Sequence, residues 1–112
     1  MAKYKKGDVV LVPFAYLDKS GNYIAKVRPG VIFEAGDVIK YAIVQVTTKN
    51  RTDGSIGIWV KRDSARGKQM GLLADSFINL GVINQFEENT IIKLIGNCDD
   101  DCMDQLEMML EV

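Results

Sequence analysis

The feature that most constrains the fold is a series of short apolar runs, rich in β-branched residues, each cut off by glycine, proline or a polar turn. The first, Val9-Val10-Leu11-Val12-Pro13-Phe14, is a continuous apolar run rich in β-branched residues, the mark of a buried strand. Pro13 has no N–H to give a neighbouring strand, so it places the end of this run at a sheet edge or exit. Val31-Ile32-Phe33 follows Pro29-Gly30 as a second strand and closes at Glu34-Ala35-Gly36-Asp37. Ile39 to Thr47 reads as a third strand, followed by a turn at Asn50 to Gly54. Ile56 to Lys61 reads as a fourth, with Ile56, Ile58 and Val60 on one side and Trp59 on the other. Two further strands, Ala74 to Leu80 and Val82 to Phe86, meet around Gly81. Thr90 to Asn97 fits a strand or a short helix, and its β-branched content and the Gly96 stop favour a strand. Two segments lack any apolar period. Ala15 to Val27 reads as a long polar loop with a turn signal at Lys19-Ser20-Gly21-Asn22, and Arg62 to Gly71 as a solvated basic loop.

One helix is expected, over Asp99 to Glu111. Asp99 can cap it, and Asp100 and Asp101 occupy the first turn, where the helix dipole favours negative charge. Cys102, Met103, Leu106, Met109 and Leu110 make its apolar stripe. Many short strands and one terminal helix predict a mainly β (α+β) class: a small SH3-like β-barrel with a C-terminal α-helix, one domain over residues 1–112.

The net charge of −1 conceals a division. Residues 1–72 hold 13 Lys/Arg and 6 Asp/Glu, whereas residues 73–112 hold Lys93 alone against 9 Asp/Glu. A basic body with an acidic tail points to a polyanion-binding face in the first part, although an acidic helix also serves solubility. The N-terminus shows no apolar signal core and no run is long enough to span a bilayer, so a cytoplasmic protein with no membrane partner is expected. Cys98 and Cys102 without any histidine do not make a tetrahedral zinc site, and they read as small apolar residues at the helix start. No metal and no cofactor is expected.

The chemistry-bearing residues cluster around Lys26-Val27-Arg28-Pro29-Gly30. Pro29 has a fixed φ and pushes Arg28 towards an extended backbone, which gives the guanidinium a defined base. A planar fork of donors held in this way suits two oxygens of a phosphate. A second segment, Gln45-Val46-Thr47-Thr48-Lys49, ends a strand with two hydroxyls and a cation. Tyr16 and Tyr23 near Lys26, Lys49 and Arg51 suit single-stranded RNA by stacking and charge.

A strand led by Gly7-Asp8, a Lys-x-Arg-Pro-Gly turn, a Gln-Val-Thr-Thr-Lys strand end and the closing Ile91-Ile92-Lys93-Leu94-Ile95-Gly96-Asn97 together resemble the MazF/PemK family of toxin endoribonucleases. The resemblance covers nearly the whole chain. It implies the same barrel, cleavage of single-stranded RNA by 2′-hydroxyl attack without a metal, a homodimer, and a cognate antitoxin. It also implies that Arg28 and Thr47 are the catalytic residues, with Thr48 the alternative hydroxyl because alternation sends the two threonines to opposite faces. Tyr16, Asp18, Lys26, Thr48, Lys49 and Asn79 are the expected RNA-binding residues, and Asp18 and Asp75 are candidate bases. One departure stands out. Where some family members carry an arginine and an aspartate in a later strand, this chain has Asn79 and Gly81. Either Arg28 and Thr47 suffice, or the chain is a non-catalytic SH3-like binding module of the same fold.

Overall fold

The computed structural model describes residues 3–35, 40–48 and 56–110. Six strands form one antiparallel sheet curled into a half-barrel: β1 (Asp8–Leu17), β2 (Tyr23–Ala35), β3 (Lys40–Thr47), β4 (Gly57–Val60), β5 (Ser76–Glu87) and β6 (Lys93–Asn97). Their order across the sheet is β4-β5-β3-β2-β1-β6. Two helices, α1 (Ala65–Met70) and α2 (Asp100–Leu110), complete the described elements apart from a single 3-10 turn, Glu88–Thr90. The small barrel-like β fold with a C-terminal helix is therefore present as expected.

The uninterrupted apolar runs are explained by burial on both sides of the sheet. On one side Val9, Val31, Val44, Val46 and Ile78 pack with Met70 of α1 and with Cys102, Met103 and Leu106 of α2. On the other, Val10, Val12, Phe14, Ile32, Tyr41 and Ile43 form a second cluster with Tyr4 and Ile91. Neighbours in sequence such as Val9 and Val10, or Val31 and Ile32, thus belong to different cores, as a two-residue period requires.

Three expectations need correction. Ala15 to Val27 is not a loop: β1 runs to Leu17 and β2 starts at Tyr23, with the pairs Ala15↔Ala25, Tyr16↔Ile24 and Leu17↔Tyr23 forming a hairpin. Its polar residues are explained by exposure, since this end of the hairpin pairs with no third strand among the described elements. Arg62 to Gly71 is not an open loop either. Ser64 caps α1 by accepting from the Gly67 N–H at 3.0 Å, and Gly71 ends it at φ 75°, a left-handed cap that glycine adopts without a Cβ penalty. The strands expected on either side of Gly81 are one strand, β5, with a bulge: Val44 pairs with Ile83, but Gln45 pairs with Asn79. Ile39, Glu111 and the Asn50 to Gly54 turn lie outside the described residues.

The helix expected at the C-terminus is capped as foreseen, the Cys102 N–H donating to Asp99 Oδ1 at 2.7 Å. Its stripe is narrower, because Met109 and Leu110 remain partly exposed while Cys102, Met103 and Leu106 are buried. The two thiols share that core; their mutual hydrogen bond and then burial push Cys98 up, and the same bond holds Cys102 below the ordinary thiol value.

Arg66 ties the two helices together. Its guanidinium donates to both oxygens of Asp99, at 3.0 and 3.3 Å, and to Asp101 at 3.4 Å. Burial raises the Asp99 carboxyl, but the bonds from Arg66 and from the Cys102 N–H outweigh it and hold the group below its usual value. At the other end of the sheet, the buried Tyr41 hydroxyl donates to Glu88 at 2.6 Å, and the Lys3 N–H donates to the same oxygen. Burial and this bond raise Tyr41, while the Tyr41 hydroxyl and Lys3 lower Glu88.

A carboxyl lowered on folding stabilises fully above its unfolded value and loses that contribution as pH falls through its folded value; a raised tyrosine does the reverse on the alkaline side. Stability should therefore form a plateau that ends near pH 5 on the acid side through Asp99 and Glu88, and near pH 9 on the alkaline side, where the raised Cys98 thiol and then Tyr41 stay protonated in the folded chain while they ionise in the unfolded one. Arg66→Ala should cost about 1–2 kcal/mol, between the values for exposed and buried pairs, and should flatten part of the acid limb. Urea melts from pH 3 to 11 test both. An unchanged acid limb in Arg66→Ala would remove the assigned clamp.

Candidate functional site

Strand register builds the site. Val12 pairs with Arg28 across β1 and β2, and Gly30 pairs with Gln45 across β2 and β3. Carrying the second register two residues further sets Arg28 opposite Thr47, so the two side chains leave the same face of the sheet. They meet: Arg28 Nη1 donates to Thr47 Oγ1 at 3.1 Å. Thr47 is 2% exposed, so the hydroxyl is a fixed anchor. It pairs with Phe77 of β5, which in turn pairs with Trp59 of β4. One row of residues therefore runs across five strands through the Arg28–Thr47 contact.

Asn79 belongs to the next row on that face, opposite Gln45. It lies diagonally from Thr47, about 7–8 Å away between backbones. Its side-chain oxygen accepts from the Gly81 N–H at 2.9 Å, which closes the β5 bulge. Asn79 is 4% exposed. At the positions of the family's departure, then, asparagine and glycine build a bulge together.

Arg28 is half-buried and, among the described residues, no carboxylate lies within ion-pairing distance of it. Arg66 provides the contrast, since its charge is answered by two aspartates. A guanidinium oriented by a neutral hydroxyl keeps most of its donors and its whole charge for an incoming anion. A cavity of about 580 Å³ lies on the other face of the sheet, where Leu11, Pro29, Val46, Thr48 and Lys93 line it; its described lining also includes Lys26 and Arg28 and holds no carboxylate. Thr48 lines this cavity, whereas Thr47 is buried beside the guanidinium. The two hydroxyls have separated to opposite faces, as alternation required.

The remaining sequence-predicted residues are distributed differently. Lys26 sits two residues before Arg28 on the same face, exposed. Tyr16 is also on that face but four residues along β1 from Val12, about 13 Å out at an extended-strand rise. Tyr23 pairs with Leu17, on the opposite face. Asp18 is not brought to the site. It lies at the hairpin turn, roughly 20 Å along β1 from Val12, and its carboxylate accepts from the Ser20 and Asn22 N–H groups, both at 2.9 Å. Asp75 accepts from the Arg62 N–H at 2.8 Å and closes another turn. Lys49 and Arg51 lie outside the described residues. Sequence reasoning missed the wall formed by Leu72 and Leu73 after α1; the Ser64…Gly71 cap pair was the signal that would have placed it. Among the described residues no group of three or more Cys, Asp or Glu side chains gathers to hold a metal ion.

The family model for PemK-like, MazF-like toxins of type II toxin–antitoxin systems matches residues 5–112. The chain belongs to this family. A search of curated proteins returns no match. Membership of a PemK/MazF-type toxin family implies a cognate antitoxin as partner. No helix among the described residues is long and apolar enough to cross a membrane.

Arg28 forms one side-chain bond and no ion pair among the described residues, and its apolar stem can be kept by methionine. Arg28→Met should lower unfolding free energy by about 1 kcal/mol at most, the worth of one hydrogen bond, and less than Arg66→Ala. Thermal melts of the two variants side by side check this. A large loss in Arg28→Met would make Arg28 a structural residue.

Proposed function

We propose that this PemK/MazF-family toxin is an endoribonuclease that cleaves single-stranded RNA, with Arg28 as its electrostatic catalyst and Thr47 as the residue that aims it. The observation that carries the reading is the Arg28–Thr47 contact itself: a half-buried arginine fixed by a buried hydroxyl, with no counter-charge among the described residues. In this reaction the 2′-hydroxyl of the RNA attacks its own 3′-phosphate, the bond to the 5′-oxygen breaks, and a 2′,3′-cyclic phosphate remains. Negative charge builds on the non-bridging oxygens, where an oriented guanidinium acts most strongly. Thr47 cannot serve as a strong base at neutral pH, and Asp18 and Asp75 are engaged in turns. Charge stabilisation and positioning therefore carry the rate among the described residues. Lys26 and Tyr16, on the Arg28 face of the hairpin, extend the track for the neighbouring nucleotides, and Asn79 stands in the next row on that face, whereas Thr48 faces the other side of the sheet.

The reading extends to a homodimer, in which the exposed apolar residues Leu17, Tyr23 and Val27 of the hairpin meet a second copy, and to a cytoplasmic protein. One observation favours a second reading, a non-catalytic binding barrel. Asn79 and Gly81 replace the arginine and aspartate that some family members carry, and the Asn79 oxygen already serves the bulge.

The deciding experiment is incubation of the purified protein with a long unstructured RNA, with cleavage ends mapped. Arg28→Ala should slow cleavage roughly a hundred- to thousand-fold, and Arg28→Lys should recover little of it because an ammonium lacks the fork. No step runs through a metal, so cleavage should persist in EDTA; loss in EDTA with rescue by Mg²⁺ would point to a different chemistry. RNA binding should weaken with salt at a logarithmic slope of about 0.7 per neutralised phosphate. Salt-dependent binding without any cleavage would favour the binding barrel.

A further inference from the structure

The two thiols at the entry to α2 take no part in the RNA chemistry, and the fold brings them into contact. Cys98 lies between β6 and the Asp99 cap, outside the helix, and Cys102 is the third residue of α2. Both are free and buried, 7% and 0% exposed, and their sulfurs share a hydrogen bond. Because Cys98 precedes the helix, its side chain is not bound to the direction that a helical turn imposes, and the two thiols converge as a disulfide requires. Backbone bonds hold both residues in place. The Cys98 N–H donates to the Gly7 carbonyl at 2.7 Å, and the Cys102 N–H donates to Asp99 Oδ1, on the carboxylate that Arg66 grips. The setting favours a thiolate at Cys102. It stands in the first turn, where unpaired N–H groups attract an anion, and the bond from Cys98 and the Arg66 charge hold it below the ordinary thiol value. A cavity of about 560 Å³ opens beside Cys98, between Lys5, Lys6 and Gln69.

We propose that Cys98 and Cys102 form an oxidisable dithiol that a peroxide closes to a disulfide. The Cys102 thiolate attacks one peroxide oxygen; an S–O bond forms, the O–O bond breaks, and the departing hydroxide takes the Cys98 proton and leaves as water. The Cys98 thiolate then attacks the Cys102 sulfur. The S–S bond forms, the S–O bond breaks, and the second hydroxide takes a proton from solvent to become water. Two electrons pass from the sulfur pair to the peroxide. With the second sulfur already in contact, the sulfenic acid at Cys102 is consumed before further oxidation makes it irreversible. Burial sets the selectivity. A peroxide, little larger than water, reaches the pair through the cavity at Cys98, whereas oxidised glutathione is too bulky to approach either buried sulfur.

The test treats the folded protein with hydrogen peroxide or with oxidised glutathione, alkylates the remaining thiols in urea and digests with trypsin. Lys93 is the last lysine or arginine in the sequence, so both cysteines fall in one peptide, residues 94–112. Peroxide should lower the mass of that peptide by two hydrogen atoms and abolish both alkylations, and dithiothreitol should restore them. Oxidised glutathione should leave both thiols open to alkylation. Methionine oxidation adds oxygen atoms and is told apart by mass. Cys98→Ser should leave Cys102 trapped as a sulfenic acid that dimedone labels, and Cys102→Ser should react at least about tenfold more slowly than wild type. Thermal melts check that both variants are folded, and the wild-type result decides the proposal if either is not. Two thiols still alkylated in the wild type, at a peroxide dose that oxidises the urea-unfolded chain, overturn it. A disulfide found only between two copies, equal oxidation by the two reagents, or equal rates in wild type and a folded Cys102→Ser overturns it as well.

Discussion

The pairing of β2 with β3 governs what this chain can do. A register slip of one residue would send every side chain to the other face, parting Arg28 from Thr47 and turning the guanidinium towards the helix-covered core. The register is held firmly because both faces are filled: Val31 and Val44 on one side, Ile32 and Ile43 on the other. Burial on two sides thus fixes the pairing, and the pairing aims a cation several residues beyond the last core residue. Packing and function are linked through backbone geometry rather than through direct contact.

Two arginines show how the same side chain takes opposite roles. Arg66 is bidentate to Asp99 and reaches Asp101, so its charge joins α1 to α2 and is satisfied within the protein. Arg28 receives only a neutral hydroxyl among the described residues. The division of charge along the sequence has the same logic: acidic residues of the C-terminal part answer Arg66 and Lys6, while Lys26 and Arg28 share one face of the hairpin without a described acid in ion-pairing distance. A charge left unanswered by the fold is available to a ligand, which is the physical basis for reading this region as the working face of a toxin.

Much of the fold was legible because apolar period is a local property. The runs at Val9–Phe14, Val31–Phe33 and Ile43–Thr47 could be read as strands, and Asp99 as a cap, from a few neighbouring residues each. The hairpin of residues 15–27 was misread for a physical reason. Its outer end is exposed, so its sequence carries a loop's polarity while its backbone is held by ladder bonds to the partner strand. The short helix α1 was hidden similarly: six residues, mostly polar, with Gly67 and Met70 its buried positions. Asp18 looked chemically eligible because a carboxylate in a polar segment is the same in sequence whether it meets a substrate or closes a turn.

The sequence by itself determined the strand-rich class, the capped terminal helix, the family, and the orientation that Pro29 imposes on Arg28, because each depends on neighbouring residues or on a linear pattern. Only the tertiary structure decided that Arg28 would meet Thr47, 19 positions away, that Asp18 would be held at the far end of a hairpin, and that Lys93 would share a cavity with Lys26 and Arg28. Those relations depend on register between strands. Register is set by how two buried faces fill at once, a condition that involves the whole sheet and is not written in any one segment.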